Sequence, residues 1–298
     1  MKIGSDNRFS FNIAYLFLAP AFAALIFFFF VPIIAAFALS FTDFDIYSLG
    51  NISYLRFIGF KNYFSLFADP LFWKALGNTF YFVAVGGPIS VVVSLGTALL
   101  LQSKLIRYKG IFRFFLFAPV VTTLVAVAIV WRYLYHPRFG LLNYVLSLFG
   151  VTPIDWLGDP TWAMPAMILL AVWKNFGYNM LIFIAGLQNI PEELYEAAHI
   201  DGATPFRQFV SVTLPMLAPT SLFVGLTTMI GSFQYFAEPY VMTQGGPQYA
   251  TISIVLLMYQ HGFRWWSMGY SASVAFVLFA IILIFSAAQL LLQRGGKE

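Results

Sequence analysis

The chain has 298 residues, of which 60% are hydrophobic and only 9% charged, with a formal net charge of +4 and no cysteine. A water-soluble domain carries about 25% charged residues to cover its surface, so a soluble fold is excluded; disulfides, Cys-ligated zinc and thiol catalysis go with the missing thiols. The apolar residues run in blocks near the roughly 20-residue length of a bilayer-spanning helix, which reads as lipid-facing surface and not as an oversized core.

Six spanning helices are predicted, giving an all-α polytopic membrane protein. The first covers 12–39 and contains Pro20 and Pro32. It is too long for the apolar core of a signal peptide and is read as a retained helix. The second covers 78–101, with a break expected at Gly86-Gly87-Pro88. The third covers 111–133, the fourth 162–187, the fifth 214–236 and the sixth 267–292. The block 252–259 is too short to span and is re-entrant or interfacial.

Six crossings put both termini on one side. That side holds Lys2, Arg8, Lys104, Arg107, Lys109, Arg113, Arg207, Arg294 and Lys297 in short segments. The other holds Arg56, Lys61, Lys74, Arg132, Arg138 and Arg264 in longer loops. The positive-inside rule makes the first side cytoplasmic. Trp131, Trp156, Trp162, Trp265 and Trp266 fall near the outer edges and read as an interfacial aromatic belt.

The connection 188–213 is the longest on the cytoplasmic side and reads as two short helices. Asn189 can cap the first, Pro191 suits its first turn, and Glu192 and Glu193 complement the positive end of its dipole. Leu194, Ala197 and Ala198, with Ile200 beside them, give it an apolar face of mostly small residues. Gly202 can end it in a left-handed conformation, and Thr204-Pro205 reads as the cap and first position of the second helix.

Lys174 is the one clear ionisable residue inside a span. A lysine at mid-bilayer costs roughly 2.5–3.5 kcal/mol, so it faces a cavity or partner, or it snorkels outward. Lys174 shares a helix face with Tyr178, and Asn175 shares one with Asn179. Together they form a polar and aromatic stripe suited to the hydroxyls and C–H faces of a sugar. Glu238 can gate, pair with Arg264 or be solvated, and the solvated reading is preferred. His136, His199 and His261 have no metal-site spacing, and Asp155 and Asp159 read as turn residues.

At the cytoplasmic loop the chain resembles a known family. Glu196-Ala197-Ala198, then three residues to Gly202, then nine residues to Val212-Thr213-Leu214-Pro215, is similar to the EAA loop of ABC-importer permeases. The string Tyr195 to Ala203 looks like the carbohydrate-uptake branch. Leu39-Ser40-Phe41-Thr42, Gly59-Phe60-Lys61-Asn62-Tyr63 and Leu187-Gln188-Asn189-Ile190-Pro191 also resemble that branch. Thr243-Gln244-Gly245-Gly246-Pro247, followed by Ala250-Thr251, is similar to the maltose-permease-type member of the pair.

The resemblance implies a type I ABC importer permease core, as one permease domain over 1–298 with a coupling loop at about 188–214. It implies a bacterial inner-membrane location with both termini cytoplasmic. The solute would be a sugar, a di- or oligosaccharide, carried along a path formed with a second, homologous permease. Further partners would be two copies of an ATP-binding subunit, an extracytoplasmic sugar-binding protein and membrane lipid, with no nucleic acid. No cofactor is expected on this chain, and ATP and Mg would sit on the ATPase. The pattern Gly, four residues, Gly-Lys, Ser or Thr is absent from the sequence.

Glu196, Ala197, Ala198, Asp201 and Gly202 are implied to couple to the ATPase; read from the loop alone, Glu196 can equally be a solvated charge. By alignment, Lys174, Asn175 and Tyr178 fall at sugar-contact positions. So do Thr228, Gly231 and Ser232, with Gln234 and Tyr235 close by, and Thr122 and Thr123 more loosely. A self-sufficient secondary transporter of a small polar solute is the alternative. It calls for mid-span carboxylates or repeated broken helices, and neither is seen. A membrane enzyme would need convergent His or carboxylate groups, which are also not seen.

Overall fold

A computed structural model of the chain describes residues 7–51, 55–103 and 106–295, without the side chains of 7–14, 49 and 292–295. Lys2, Lys104 and Lys297, three of the orientation-setting cations, lie outside the described residues.

Among the described residues, four helices are long and apolar enough to cross a membrane: α1 (Tyr15–Leu39), α2 (Pro70–Gln102), α5 (Pro160–Gln188) and α10 (Met268–Gly295). Two bent pairs bring the spans to six. In the first, α3 (Lys109–Val121) meets α4 (Leu124–Leu134) at 99°; in the second, α7 (Pro205–Met216) meets Ala218–Met242 at 68°. The second member divides into α8 (Ala218–Phe233) and α9 (Ala237–Met242). Between α5 and α7 stands α6 (Glu192–Ile200).

The expected break at Gly86-Gly87-Pro88 does not occur. Gly86 and Gly87 keep right-handed helical angles, and α2 runs through by a π turn at Phe82–Gly86. The wider turn absorbs the hydrogen bond that Pro88 cannot donate. The expected continuous third span is instead broken. Pro119 lies within α3, and Thr122 and Thr123 take extended angles, so the run 111–133 turns a corner. Pro219 likewise has no N–H for the carbonyl of Pro215, which explains the second bend.

The chain's contacts divide into two compact units. The larger holds Asp69–Leu257 and Leu278–Glu298. At its centre is α5, started by Asp159, whose side chain accepts the Thr161 N–H at 2.8 Å. Such a cap contributes about 1 kcal/mol. In the most apolar window of α5, 67% of residues are buried, against none in α1. Small residues make that burial possible. A Cβ on Gly177 would lie 2.4 Å from the Leu116 carbonyl oxygen, and one on Gly186 2.7 Å from Thr220 Oγ1. Only bare glycine lets α3 and α8 approach so closely. Ser94 Oγ clips α2 to α5 by donating to the Phe176 carbonyl at 3.0 Å.

Apolar packing on α5 falls into two clusters. One gathers Phe82, Trp131, Tyr135, Met164, Met167, Ile168 and Tyr235, the other Leu101, Met180, Phe183, Ile184 and Val224. Trp131 is therefore a core residue, only 8% exposed, and not part of an interfacial belt. Lys109 Nζ donates to the Gln102 carbonyl at 3.0 Å and so closes the end of α2. The loop 243–251 is held by Asn78 Nδ2, which donates to the Tyr249 and Ile252 carbonyls, and it leads into the short helix Ile254–Tyr259.

The smaller unit holds Met1–Ala68 and Met258–Val277. Its corner is built by two of the sequence motifs. Asn62 Nδ2 donates at 2.8 Å to the carbonyls of both Ser40 and Thr42, and Ser40 Oγ bonds Tyr63 Oη at 2.8 Å. Gly269 packs so close that a Cβ would sit 2.2 Å from the Thr42 carbonyl. Arg56 donates to Asp43 from its backbone and its guanidinium, and these bonds hold the Asp43 carboxyl below its ordinary range.

Candidate functional site

Two features of the larger unit carry chemistry. The first is a cavity of about 490 Å³ walled by α2, α3, α4, α5, α8 and α9, inside the range of roughly 300–1,000 Å³ typical of small-molecule sites. The polar residues come from two directions. The middle of α5 supplies Asn175, Tyr178 and Asn179, spaced three and four apart on one face. The end of α8 and the segment after it supply Thr227, Thr228, Gly231, Ser232 and Gln234. Asn179 Nδ2 joins the two groups by donating to Thr228 Oγ1 at 2.9 Å. Phe82 and Tyr235 stack at 4.0 Å and 5° to make an aromatic floor. Hydroxyls and amides beside a flat aromatic surface suit a solute with many hydroxyls and apolar C–H faces.

Of the ten path residues expected from sequence, Asn175, Tyr178, Thr228, Gly231, Ser232, Gln234 and Tyr235 line this cavity. The Tyr235 hydroxyl is directed at Met164 Sδ, 3.9 Å away, so it is the ring that serves the wall. Thr122 and Thr123 are exposed at the α3–α4 corner; their neighbours Val120 and Leu124 line the wall instead. Lys174 neither lines the cavity nor snorkels. It is 7% exposed, and its Nζ donates to the Val120 carbonyl at 3.0 Å. Val120 stands in the last turn of α3, where helix carbonyls lack intrahelical partners and the dipole favours a cation. The bend thus creates the acceptor that the lysine fills.

Asn179, with its helix-mate Asn175, was legible from spacing. Ser90 and Glu238 were not. Both line the cavity and are 5% exposed. Glu238 is therefore buried, contrary to the solvated reading from sequence. The residue follows the unwound stretch 234–236, which folds it back against the wall. The sequence ends the helix at 236 but carries no signal for the direction in which the chain then turns.

The second feature protrudes. α6 starts at Glu192 with Glu193 in its first turn, as expected. Its N-cap position is Pro191, without a side-chain cap, while Asn189 ends α5, so Asn189 does not cap α6. Gly202 has φ +74° and turns the chain left-handed after α6. Thr204 then caps α7, accepting the Arg207 N–H. Glu196, Ala197, Asp201 and Gly202 are exposed and Ala198 is half-buried. Ile200 is 85% and Phe206 76% exposed. A hydrogen bond anchors the element: Tyr195 Oη to the buried Thr213 Oγ1, at 2.9 Å.

Spans, cavity and protruding helix together define a polytopic permease, a protein that carries a solute instead of transforming it. The family described as binding-protein-dependent transport system inner membrane component matches residues 90–297. The chain is 38% identical over 288 residues to the lactose transport system permease protein LacF of Rhizobium radiobacter, covering 95% of this chain and 94% of that one. It is 37% identical to the arabinooligosaccharides transport system permease protein AraP of Bacillus subtilis (strain 168), over 95% and 89% of the two chains. It is 32% identical to the trehalose/maltose transport system permease protein MalF of Thermococcus litoralis, over 96% and 95%. A crystal structure of a bacterial ABC transporter that imports the acidic polysaccharide alginate shares the fold, with TM-score 0.78, 21% identity and 95% coverage of both chains.

The chain belongs to the binding-protein-dependent inner-membrane permeases of ABC importers. It is accordingly a translocation subunit and not an enzyme, with ATP hydrolysed by a separate subunit and solute delivered by a binding protein.

Proposed function

We propose that the chain forms half of the translocation path of an importer for a di- or oligosaccharide. The cavity carries this reading, because its amides, hydroxyls and stacked rings match the chemistry of a sugar. Relatives named for lactose, arabinooligosaccharides and trehalose or maltose support it.

In this reading 1–298 act as one permease domain, with 188–214 as the coupling segment. A second, homologous permease completes the path, and α1, with its apolar window wholly unburied, meets that permease or lipid. Two copies of an ATP-binding subunit hold ATP and Mg and dock on α6 through Glu196, Ala197, Ala198, Asp201 and Gly202. Both termini are cytoplasmic, and the binding protein works on the opposite side. ATP drives import by favouring one of two global states through contacts that differ between them.

Replacing Tyr178 or Asn175 with alanine is expected to raise the uptake KM about 5- to 10-fold, the effect of one lost contact worth about 1 kcal/mol, with maximal rate little changed. Initial rates of labelled sugar uptake by cells measure it. Unchanged KM for every sugar tested would remove these residues from the path.

A further inference from the structure

The wall of the cavity is uneven in charge. Among the described lining residues Glu238 is the one that carries a formal charge. Lys174, on the neighbouring α5, does not line the cavity and is turned to the Val120 carbonyl. The two do not touch, since the ion pair in contact among the described residues is Arg56 with Asp43. A solute in the cavity thus meets the Glu238 carboxyl and not the Lys174 ammonium.

We propose that Glu238 selects solutes by charge, so that the cavity admits neutral and cationic saccharides and rejects acidic ones. The inference rests on the sugar-path reading above. A carboxylate accepts hydrogen bonds and donates none, so it pairs with the hydroxyls or ammonium groups of a sugar. A uronate would bring a second carboxylate into a space where charges interact about fourfold more strongly than in bulk water. An arrangement for acidic sugars would instead present the lysine to the solute. Here α3 withdraws it.

The test is equilibrium binding to the assembled permease–ATPase complex in nanodiscs, with the binding protein omitted so that its own selectivity plays no part. The probes are lactose, digalacturonate and the dimethyl ester of digalacturonate, the last two alike in shape and different in charge. The wild-type complex is expected to bind the ester about 10-fold more tightly than the acid. Glu238→Gln, which keeps an acceptor oxygen but no charge, is expected to bring that ratio close to one with lactose bound somewhat more weakly, and Glu238→Asp to keep the preference. A wild-type complex that binds acid and ester equally well would overturn the proposal, as would a wild-type ratio surviving in Glu238→Gln. Failure of all three probes to bind the wild-type complex would sink the sugar-path reading itself, and charge selection with it.

Discussion

Reversing one charge on the protruding helix, by Glu196→Lys, is expected to stop uptake by the assembled importer while the binding protein keeps its affinity for sugar. Glu196 stands exposed on α6, Ile200 is exposed at the end of α6, and Phe206 is exposed in the first turn of α7. Large apolar side chains grouped on a charged protrusion mark a surface made to be covered. The element is also tied down: Gly202 sets the turn, Thr204 starts α7, and the Tyr195–Thr213 bond ties α6 to the base of the fifth span. Leaving a docked charge opposed or unpaired costs about 2–5 kcal/mol at an interface, a loss of about 30-fold or more in productive docking. Transport of labelled sugar, beside ATPase stimulation in the purified complex, measures it. Wild-type uptake in Glu196→Lys would remove this face from the coupling surface.

The second large effect is expected from Gly177→Val. A side chain there collides first with the Leu116 carbonyl and then with the Phe117 Cα, both backbone, which cannot rotate aside. Overpacking of this kind costs about 1–3 kcal/mol where neighbours can yield, and here they yield only if α3 leaves α5. That displacement would also carry Val120 away from Lys174 Nζ and open the cavity wall. A lower yield of assembled complex is expected, with Tm reduced by about 5 °C and uptake lost. Gly231→Ala is the control, because a Cβ there meets nothing within 4 Å. Thermal unfolding of both variants by fluorescence would decide it, and a wild-type Tm for Gly177→Val would mean that the close approach of α3 is not what holds the bundle.

The spans were readable because hydropathy and bilayer thickness leave few alternatives, and the protruding helix pair because its glycine, the Thr204 cap and the acidic first turn are local signals. Bends were harder. Gly86-Gly87-Pro88 looks like a break and is absorbed by a π turn, whereas Pro119 with Thr122 and Thr123 looks like a plain span and turns 99°. The difference lies in what packs around each. A Cβ on Gly86 would meet Ile168 of α5 at an ordinary 3.5 Å, while α3 pushes its Leu116 carbonyl into the groove that Gly177 leaves.

Lys174 shows the same limit at the site. Its sequence offers a cavity or the membrane surface, and its actual acceptor exists only because α3 ends three-dimensionally beside it. Glu238 read as solvated because it follows a predicted helix end and precedes Pro239; the unwound turn before it reverses that. The Asn62 bonds of the smaller unit teach a related lesson. Two motifs that carried the family resemblance, around Ser40 and around Asn62, meet each other as a structural corner.

This chain is expected to move solute only as one half of a path driven by a separate nucleotide-hydrolysing subunit. Reconstitution in vesicles tests it most directly, comparing the purified chain alone under proton and sodium gradients with the full set of two permeases, ATPase and binding protein supplied with Mg-ATP. Sugar should accumulate only in the complete, ATP-fed vesicles. Accumulation by the chain alone on an ion gradient would contradict the claim.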